Sequence, residues 1–198
     1  MGSLTITILA GGQSRRMGRD KATLRWNEES LLERTARIAL DLSLPVIVVG
    51  RECPEGWPYP GVQFVQDSYP GIGPIGGLAT AIKEQASDIL LLSCDLPLLT
   101  IEAVNWLIKQ ATVLPPDSER AWQGLITVNG ARIEPLFSIY HHSLLPILTQ
   151  QINAKNFRLR SLIQAGEFLR VDLPPEFASA LTNINTTADW NSLIGRRG

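Results

Sequence analysis

Residues 4–21 read LTITILAGGQSRRMGRDK, and they decide the fold. Leu4–Leu9 alternates apolar and β-branched residues, the pattern of a strand that fits a pleated, packed surface. It runs straight into Ala10, Gly11 and Gly12, where missing side chains let the backbone come close to a ligand and turn N–H groups towards an anion. A dense basic stretch follows. Residues 15–25 hold Arg15, Arg16, Arg19, Lys21 and Arg25 against a single acid, Asp20. At the chain-average density such a window would hold one basic residue. A solvated basic loop is the plain reading; a phosphate-binding loop is the one favoured by its place behind a strand and a glycine pair. It is not a Walker loop, which has four residues between its glycines and a Lys directly after the second. Here five residues separate Gly12 from Gly18, and Lys21 comes three later.

Working outward, strand-like and helix-like segments alternate. Ser30–Leu42 has helical apolar spacing, Pro45–Gly50 and Val62–Gln66 read as strands, and a helix is expected from about Leu78 to Gln85. Ile89–Ser93 is a fully apolar strand, and Ile101–Gln110 is a helix entered through Thr100, a good N-cap. Apolar strands separated by helices predict an α/β fold with a mostly parallel sheet covered on both faces. The second half departs from this rhythm. Gly124–Val128, Asn129-Gly130 and Arg132–Tyr140 read as an antiparallel hairpin closed by a type I′ turn. There is no internal repeat, and the proline-rich piece Leu114–Asp117 is too short for a domain linker, so residues 1–198 are expected to form one domain.

Ligands of such sheets sit beyond the carboxyl ends of the strands, and two further loops there carry unusual chemistry. Asp67–Gly77 (DSYPGIGPIGG) contains a formal G-x-G-x-x-G at Gly71, Gly73 and Gly76. Four residues between the strand and Gly71, with Pro70 and Pro74 stiffening the loop, argue against a dinucleotide fingerprint. In Ser93–Thr100 (SCDLPLLT), Asp95 follows the apolar strand directly. It either caps the next turn or, beside a phosphate-binding loop, holds Mg2+ on a triphosphate.

The whole chain balances 18 Lys+Arg against 19 Asp+Glu, a net charge of −1, which argues against a general nucleic-acid coat. Taking residues 15–25 out leaves the remainder at −5, so the positive charge is concentrated in one loop suited to a single polyphosphate. Hydrophobic residues at 44% and charged residues at 19% suit a globular protein. Cys53 and Cys94 form no metal-ligand spacing and suit a reducing compartment. No stretch approaches a membrane span, and MGSLTITIL lacks the basic start and cleavage site of a signal peptide, so a cytoplasmic location with no membrane partner is expected.

Leu9–Ala22, LAGGQSRRMGRDKA, resembles the signature of the nucleotidyltransferases typified by the molybdenum cofactor guanylyltransferases: Leu-Ala-Gly-Gly, a variable stretch, Arg-Met-Gly, then Asp-Lys. Asp67 before Gly73-Pro74-Ile75-Gly76-Gly77, and Cys94-Asp95-Leu96-Pro97, match that family in order. So do Pro135-Leu136-Phe137 with Tyr140, and Asn183-Ile184-Asn185-Thr186. The resemblance spans about residues 4–190. Three departures stand out: Ile75 replaces a usual leucine, Ser93 precedes Cys94 in place of proline or alanine, and Gly50-Arg51 stands where an asparagine is expected.

The resemblance implies a Rossmann-like three-layer fold of the nucleotide-diphospho-sugar transferase kind. It implies transfer of GMP from GTP to the molybdopterin form of the molybdenum cofactor, with pyrophosphate leaving and Mg2+ (Mn2+ as the alternative ion) assisting. Arg16, Lys21 and Asp95 are the expected catalytic groups, with Asp95 the metal ligand. Leu9, Ala10, Gly11, Gly12, Lys21, Asp67 and Asp95 are expected to bind the nucleotide. Asn183 and Asn185 either make turns or hold the acceptor, and Lys155, Arg158 and Arg160 form either a solvated helix face or a second basic group for it. Cofactor-supplying and cofactor-receiving proteins would be further partners. A CTP-using sister enzyme and a non-catalytic cofactor-binding chaperone are the competing readings. His141 and His142, being adjacent, are expected at a hairpin end and not on a shared metal, and the five tryptophans are expected mostly to pack.

Overall fold

The computed structural model describes residues 3–11, 20–112, 122–184 and 186–195. The strands are β1 (Leu4–Leu9), β2 (Arg25–Trp26), β3 (Glu29–Ser30), β4 (Val46–Val49), β5 (Val62–Val65), β6 (Asp88–Ser93), β7 (Gly124–Asn129), β8 (Arg132–Ile133), β9 (Phe137–Tyr140) and β10 (Leu169–Asp172). The helices are α1 (Leu31–Leu40), α2 (Pro74–Gln85), α3 (Ile101–Thr112), α4 (Leu145–Asn153), α5 (Leu159–Ala165) and α6 (Thr187–Gly195). The main sheet runs β10-β7-β9-β6-β1-β4-β5, with β8 paired to β7 and a separate β2–β3 ladder. β1 pairs in parallel with both β4 and β6, whereas β9 lies antiparallel between β6 and β7. The α/β fold class expected from the sequence is therefore observed.

Strand alternation sorts the core into two layers. Ile6, Ile8, Val46, Val48, Leu90 and Leu92 face α1 and α3, while Ile47, Val49, Ile89 and Leu91 face α2 and α4. Strands β4 and β6 are apolar on both faces because helices cover both. α1 starts where a capping box forms: Ser30 Oγ accepts the Glu33 N–H, and the Glu33 carboxylate accepts the Ser30 N–H. Thr100 accepts the Ala103 N–H at 3.2 Å, as its N-cap reading predicts. Tryptophans pack edge-on, Trp26 against Trp190 and Trp57 against Tyr59 and Phe64.

Three local expectations are corrected. α2 begins at Pro74, four residues earlier than the apolar spacing suggests, because proline is preorganised for the first helical turn. The two-residue loop between β7 and β8 is Gly130-Ala131, with Gly130 at φ +61°, since Asn129 pairs with Arg132. Glycine at the first central position is the II′ arrangement, not the I′ expected of Asn-Gly. The returning strand is not continuous: Glu134-Pro135-Leu136 separates β8 from β9, and proline cannot donate to the ladder. Tyr140 closes this break by donating its hydroxyl to the Pro135 carbonyl at 2.8 Å.

His141 and His142 follow β9 at the sheet edge opposite the loops of interest. Buried Asp88 Oδ1 accepts the His142 backbone N–H at 3.0 Å and lies 2.9 Å from His142 Nδ1. The two imidazole centroids lie 4.3 Å apart with the rings tilted by 36°, and one potential ligand atom from each of Asp88, His141 and His142 lies within 4.8 Å of the others. The Asp88–His142 hydrogen bonds join the start of β6 to the segment just after β9. Among the described residues, no helix is long and apolar enough to cross a membrane.

The loops after β1 and β4 meet backbone to backbone. Gly50 has φ +99°, and a Cβ there would stand 2.7 Å from Gly11 Cα and 2.8 Å from Gly11 N. Gly50→Ala is therefore expected to destabilise the protein by about 2 kcal/mol or more, from left-handed strain plus overlap. Urea unfolding monitored by circular dichroism reads this directly; an unchanged midpoint would contradict the close approach.

Candidate active site

The chain passes from β1 to β4 and β5 on one side of the sheet, then returns to β6 on the other. The crevice between the carboxyl ends of β1 and β6 is thus a topological switch point, where open α/β sheets bind ligands. Leu9 and Ser93 are register partners there. Ala10 and Gly11 leave β1, Asp20 and Lys21 return to it, Gly50 and Arg51 leave β4, and Cys94 and Asp95 leave β6.

Asp20 sits in extended backbone and N-caps the single 3-10 turn Lys21–Thr23, its Oδ1 accepting the Ala22 N–H at 3.0 Å. Ala22 is buried, so the turn is anchored from below. From it Lys21 Nζ reaches across 74 residues of sequence to Asp95 Oδ2 at 3.1 Å. Ser93 donates to the other Asp95 oxygen at 2.5 Å. Both side chains of the ion pair are more than four-fifths buried, so loss of either partner leaves a poorly solvated charge behind. Arg51 forms an ion pair with Asp20 Oδ2, linking the β4 loop to the Lys21 turn.

Cys94 lies beneath these charges. Burial, reinforced by the negative Asp95 and Asp20, pushes its thiol up to about 12. It is therefore a neutral packing residue and not a nucleophile.

Asp67 lies on the same edge, beyond β5. Its Oδ1 accepts the Tyr69 N–H at 2.8 Å and the Thr80 hydroxyl at 3.1 Å, fastening the glycine loop to α2. The glycines of that loop pack the helix. A Cβ on Gly76 would meet the Tyr69 carbonyl at 2.6 Å, and one on Gly77 would meet Leu9 Cδ2 at 2.6 Å. This brings the N-terminus of α2, with its uncompensated N–H groups and positive dipole end, against the end of β1.

Next to Asp95 opens a cavity of about 370 Å³, lined among others by Leu96, Arg132, Glu134, Phe157, Arg158, Arg160 and Asn183. The Ile184 N–H donates to the Asp95 carbonyl at 3.1 Å, so the Asn183–Ile184 segment is tied to the metal-candidate loop itself. Burial raises the Glu134 carboxyl above its ordinary range, against the pull of Arg132 and Arg160. Three arginines against one glutamate suit an anionic ligand.

Of the residues singled out from the sequence, Leu9, Ala10, Gly11, Lys21 and Asp95 converge at the switch point, and Asp67 shapes the loop beside it. Asn183, Arg158 and Arg160 gather at the cavity. Lys155, at φ +57° after α4, and Arg158, at the N-cap position of α5, are exposed as the solvated reading expects but lie at helix ends and not on a helix face. Gly12, Arg15, Arg16, Arg19 and Asn185 lie outside the described residues. The sequence reading missed Arg132, Glu134 and Phe157, whose only local signal is their closeness to the Pro135-Leu136-Phe137 motif and to Arg158.

One carboxylate with hydroxyl support, at a strand's end beside a lysine, fits Mg2+ arriving on a triphosphate, because that ion keeps waters and takes few protein ligands. A protein family described as MobA-like NTP transferase domain matches residues 6–171. The chain belongs to this family. It is a nucleotidyltransferase.

Other members agree along nearly the full length. A probable molybdenum cofactor guanylyltransferase of Synechococcus elongatus is 34% identical, over 94% of this chain and 95% of that protein. One of Bacillus subtilis is 32% identical, over 94% and 92%. Among solved structures, molybdopterin-guanine dinucleotide biosynthesis protein A of Archaeoglobus fulgidus superposes with a TM-score of 0.78 at 19% identity, over 98% of this chain and all of that one. A 4-diphosphocytidyl-2C-methyl-D-erythritol synthase of Anaerococcus prevotii gives 0.65 at 12% identity, covering 98% of each chain. Both superpositions support the nucleotidyltransferase fold.

The two cysteines give a direct check on the site's packing. In native protein at pH 8, Ellman's reagent should label exposed Cys53 rapidly and Cys94 only after unfolding. Rapid labelling of both would contradict the closed, neutral environment of Cys94.

Proposed function

We propose that this nucleotidyltransferase moves GMP from GTP to the terminal phosphate of the molybdopterin cofactor. A phosphate oxygen of the acceptor attacks the α-phosphorus of GTP. The bond to the β-phosphate oxygen breaks, and pyrophosphate leaves. The nucleophile is already an anion, so no strong general base is needed; the work is alignment and charge stabilisation. The observation that carries this reading is the Lys21–Asp95 ion pair beside an arginine-lined cavity that shares the Asp95 segment as a wall.

Each residue then has a task. Ala10, Gly11 and the N-terminus of α2 receive the nucleotide at the end of β1. Lys21 gives up Asp95 and turns its ammonium onto triphosphate oxygens, which keeps it close to the leaving group. Asp95, held in orientation by Ser93, then offers a free oxygen to Mg2+, which when bound neutralises charge developing on the phosphates. Asp67 acts through the loop it fastens, and a direct nucleotide contact would use its other oxygen. Arg158, Arg160 and Asn183 receive the acceptor's phosphate and polar pterin edge, with Asn185 as a further contact from the sequence motif, and Arg16 joins Lys21 in neutralising triphosphate oxygens.

The choice of GTP rests on the guanylyltransferase relatives at 34% and 32% identity. The cytidylyl-transferring neighbours share the fold at far lower identity, so CTP remains the comparison nucleotide. Presence of both Lys21 and Asp95 favours turnover over mere cofactor carriage.

The test is pyrophosphate release with molybdopterin-loaded acceptor, Mg2+ and each of GTP, CTP and ATP. GTP-selective release is expected; release with CTP alone would identify the sister activity, and binding without release would favour a carrier. Asp95→Ala should lower kcat by about a hundredfold or more while the protein stays folded. In a second assay, Arg158→Ala with Arg160→Ala should raise the acceptor KM about tenfold or more with the GTP KM unchanged. Equal effects on both KM values would place the arginines elsewhere in the cycle.

A further inference from the structure

We infer that Arg51 is a positioning residue for the reaction, acting through Asp20 to hold Lys21 on target. This rests on the proposed role of Lys21. The two oxygens of Asp20 have separate jobs. Oδ1 caps the Lys21–Thr23 turn through the Ala22 N–H, and Oδ2 pairs with the Arg51 guanidinium. Arg51 itself follows Gly50, whose backbone packs directly against the backbone of Gly11. A continuous path therefore runs from a rigid strand end, through Arg51 and Asp20, to the turn that carries the phosphate lysine, and on to Asp95.

The geometry separates this role from a purely structural one. Asp20 is two-fifths exposed and Arg51 about one-fifth, and ion pairs of that exposure add little to folding. The pair sits where the chain re-enters the site after the basic loop, so its removal frees the turn to shift while the buried core is untouched. A shift of about 1 Å in a phosphate-binding ammonium is enough to slow transfer substantially.

The test is a double-mutant cycle. Arg51→Met should lower kcat/KM for GTP by about ten- to a hundredfold with little change in Tm. Arg51→Lys should restore most of the loss. In a Lys21→Ala background, followed by GTP binding where turnover is too slow, Arg51→Met should add less than about a twofold effect. A second readout needs no nucleotide. The chain has four lysines, Lys21, Lys83, Lys109 and Lys155, so the Lys21 signal of 13C-dimethylated protein is assignable with Lys21→Arg. Arg51→Met and Asp20→Asn should move that signal alike, and the double variant should move it no further. Additive losses with Lys21→Ala would make Arg51 a direct nucleotide ligand and overturn the inference. So would an unmoved Lys21 signal. If wild-type protein neither binds nor uses GTP, the proposed function fails, while the resonance still decides whether Arg51 governs Lys21.

Discussion

The Lys21–Asp95 ion pair is the contact on which the rest of the site depends. It joins the loop after β1 to the loop after β6 across the crevice where the chain crosses from one half of the sheet to the other. Such a pair has two consequences. It satisfies two largely desolvated charges while the crevice holds no ligand, and it keeps both groups oriented towards the same point. In the proposed reaction a magnesium triphosphate would supply the opposite partner for each: a cation for the carboxylate and anionic oxygens for the ammonium. Exchange of partners, without creation of an unpaired charge, is how the crevice can stay ordered in both states.

Around that pair the scaffold is built by close backbone approach more than by polar contacts. Gly50 against Gly11, Gly77 against Leu9, and Gly76 against the Tyr69 carbonyl bring three strand ends and the α2 N-terminus together at distances no side chain would allow. The glycine-rich loop that resembles a dinucleotide fingerprint is explained by this packing. Its glycines admit a helix to the end of β1, and Asp67 fastens it through Tyr69 and Thr80. Close packing around the ends of β1 and β4 contrasts with the neighbouring cavity, where arginines surround buried Glu134.

Much of this was legible in the sequence because it is local. The alternation of Leu4–Leu9, the glycines after it, the apolar run before Asp95 and the Thr100 cap each act within a few residues. Errors arose where local signals competed. Proline at position 74 started α2 before its apolar periodicity did, and Gly130 outweighed Asn129 in choosing the turn. The cavity was illegible for a different reason. Arg132, Phe157 and Asn183 come from a hairpin, a loop after α4 and the C-terminal segment, and only the antiparallel insertion of β9 between β6 and β7 draws them to Asp95. Arg51, read from sequence as a departure from the family's pattern, gains its meaning from Asp20, 31 residues away.

Positional labelling of GTP tests the central claim most directly. With molybdopterin-loaded acceptor, label from [α-32P]GTP should appear in the pterin product and label from [γ-32P]GTP in pyrophosphate. Label from the γ-position in orthophosphate or on the acceptor, with none transferred from the α-position, would mean that the crevice cleaves a different bond and would contradict nucleotidyl transfer at the Lys21–Asp95 site.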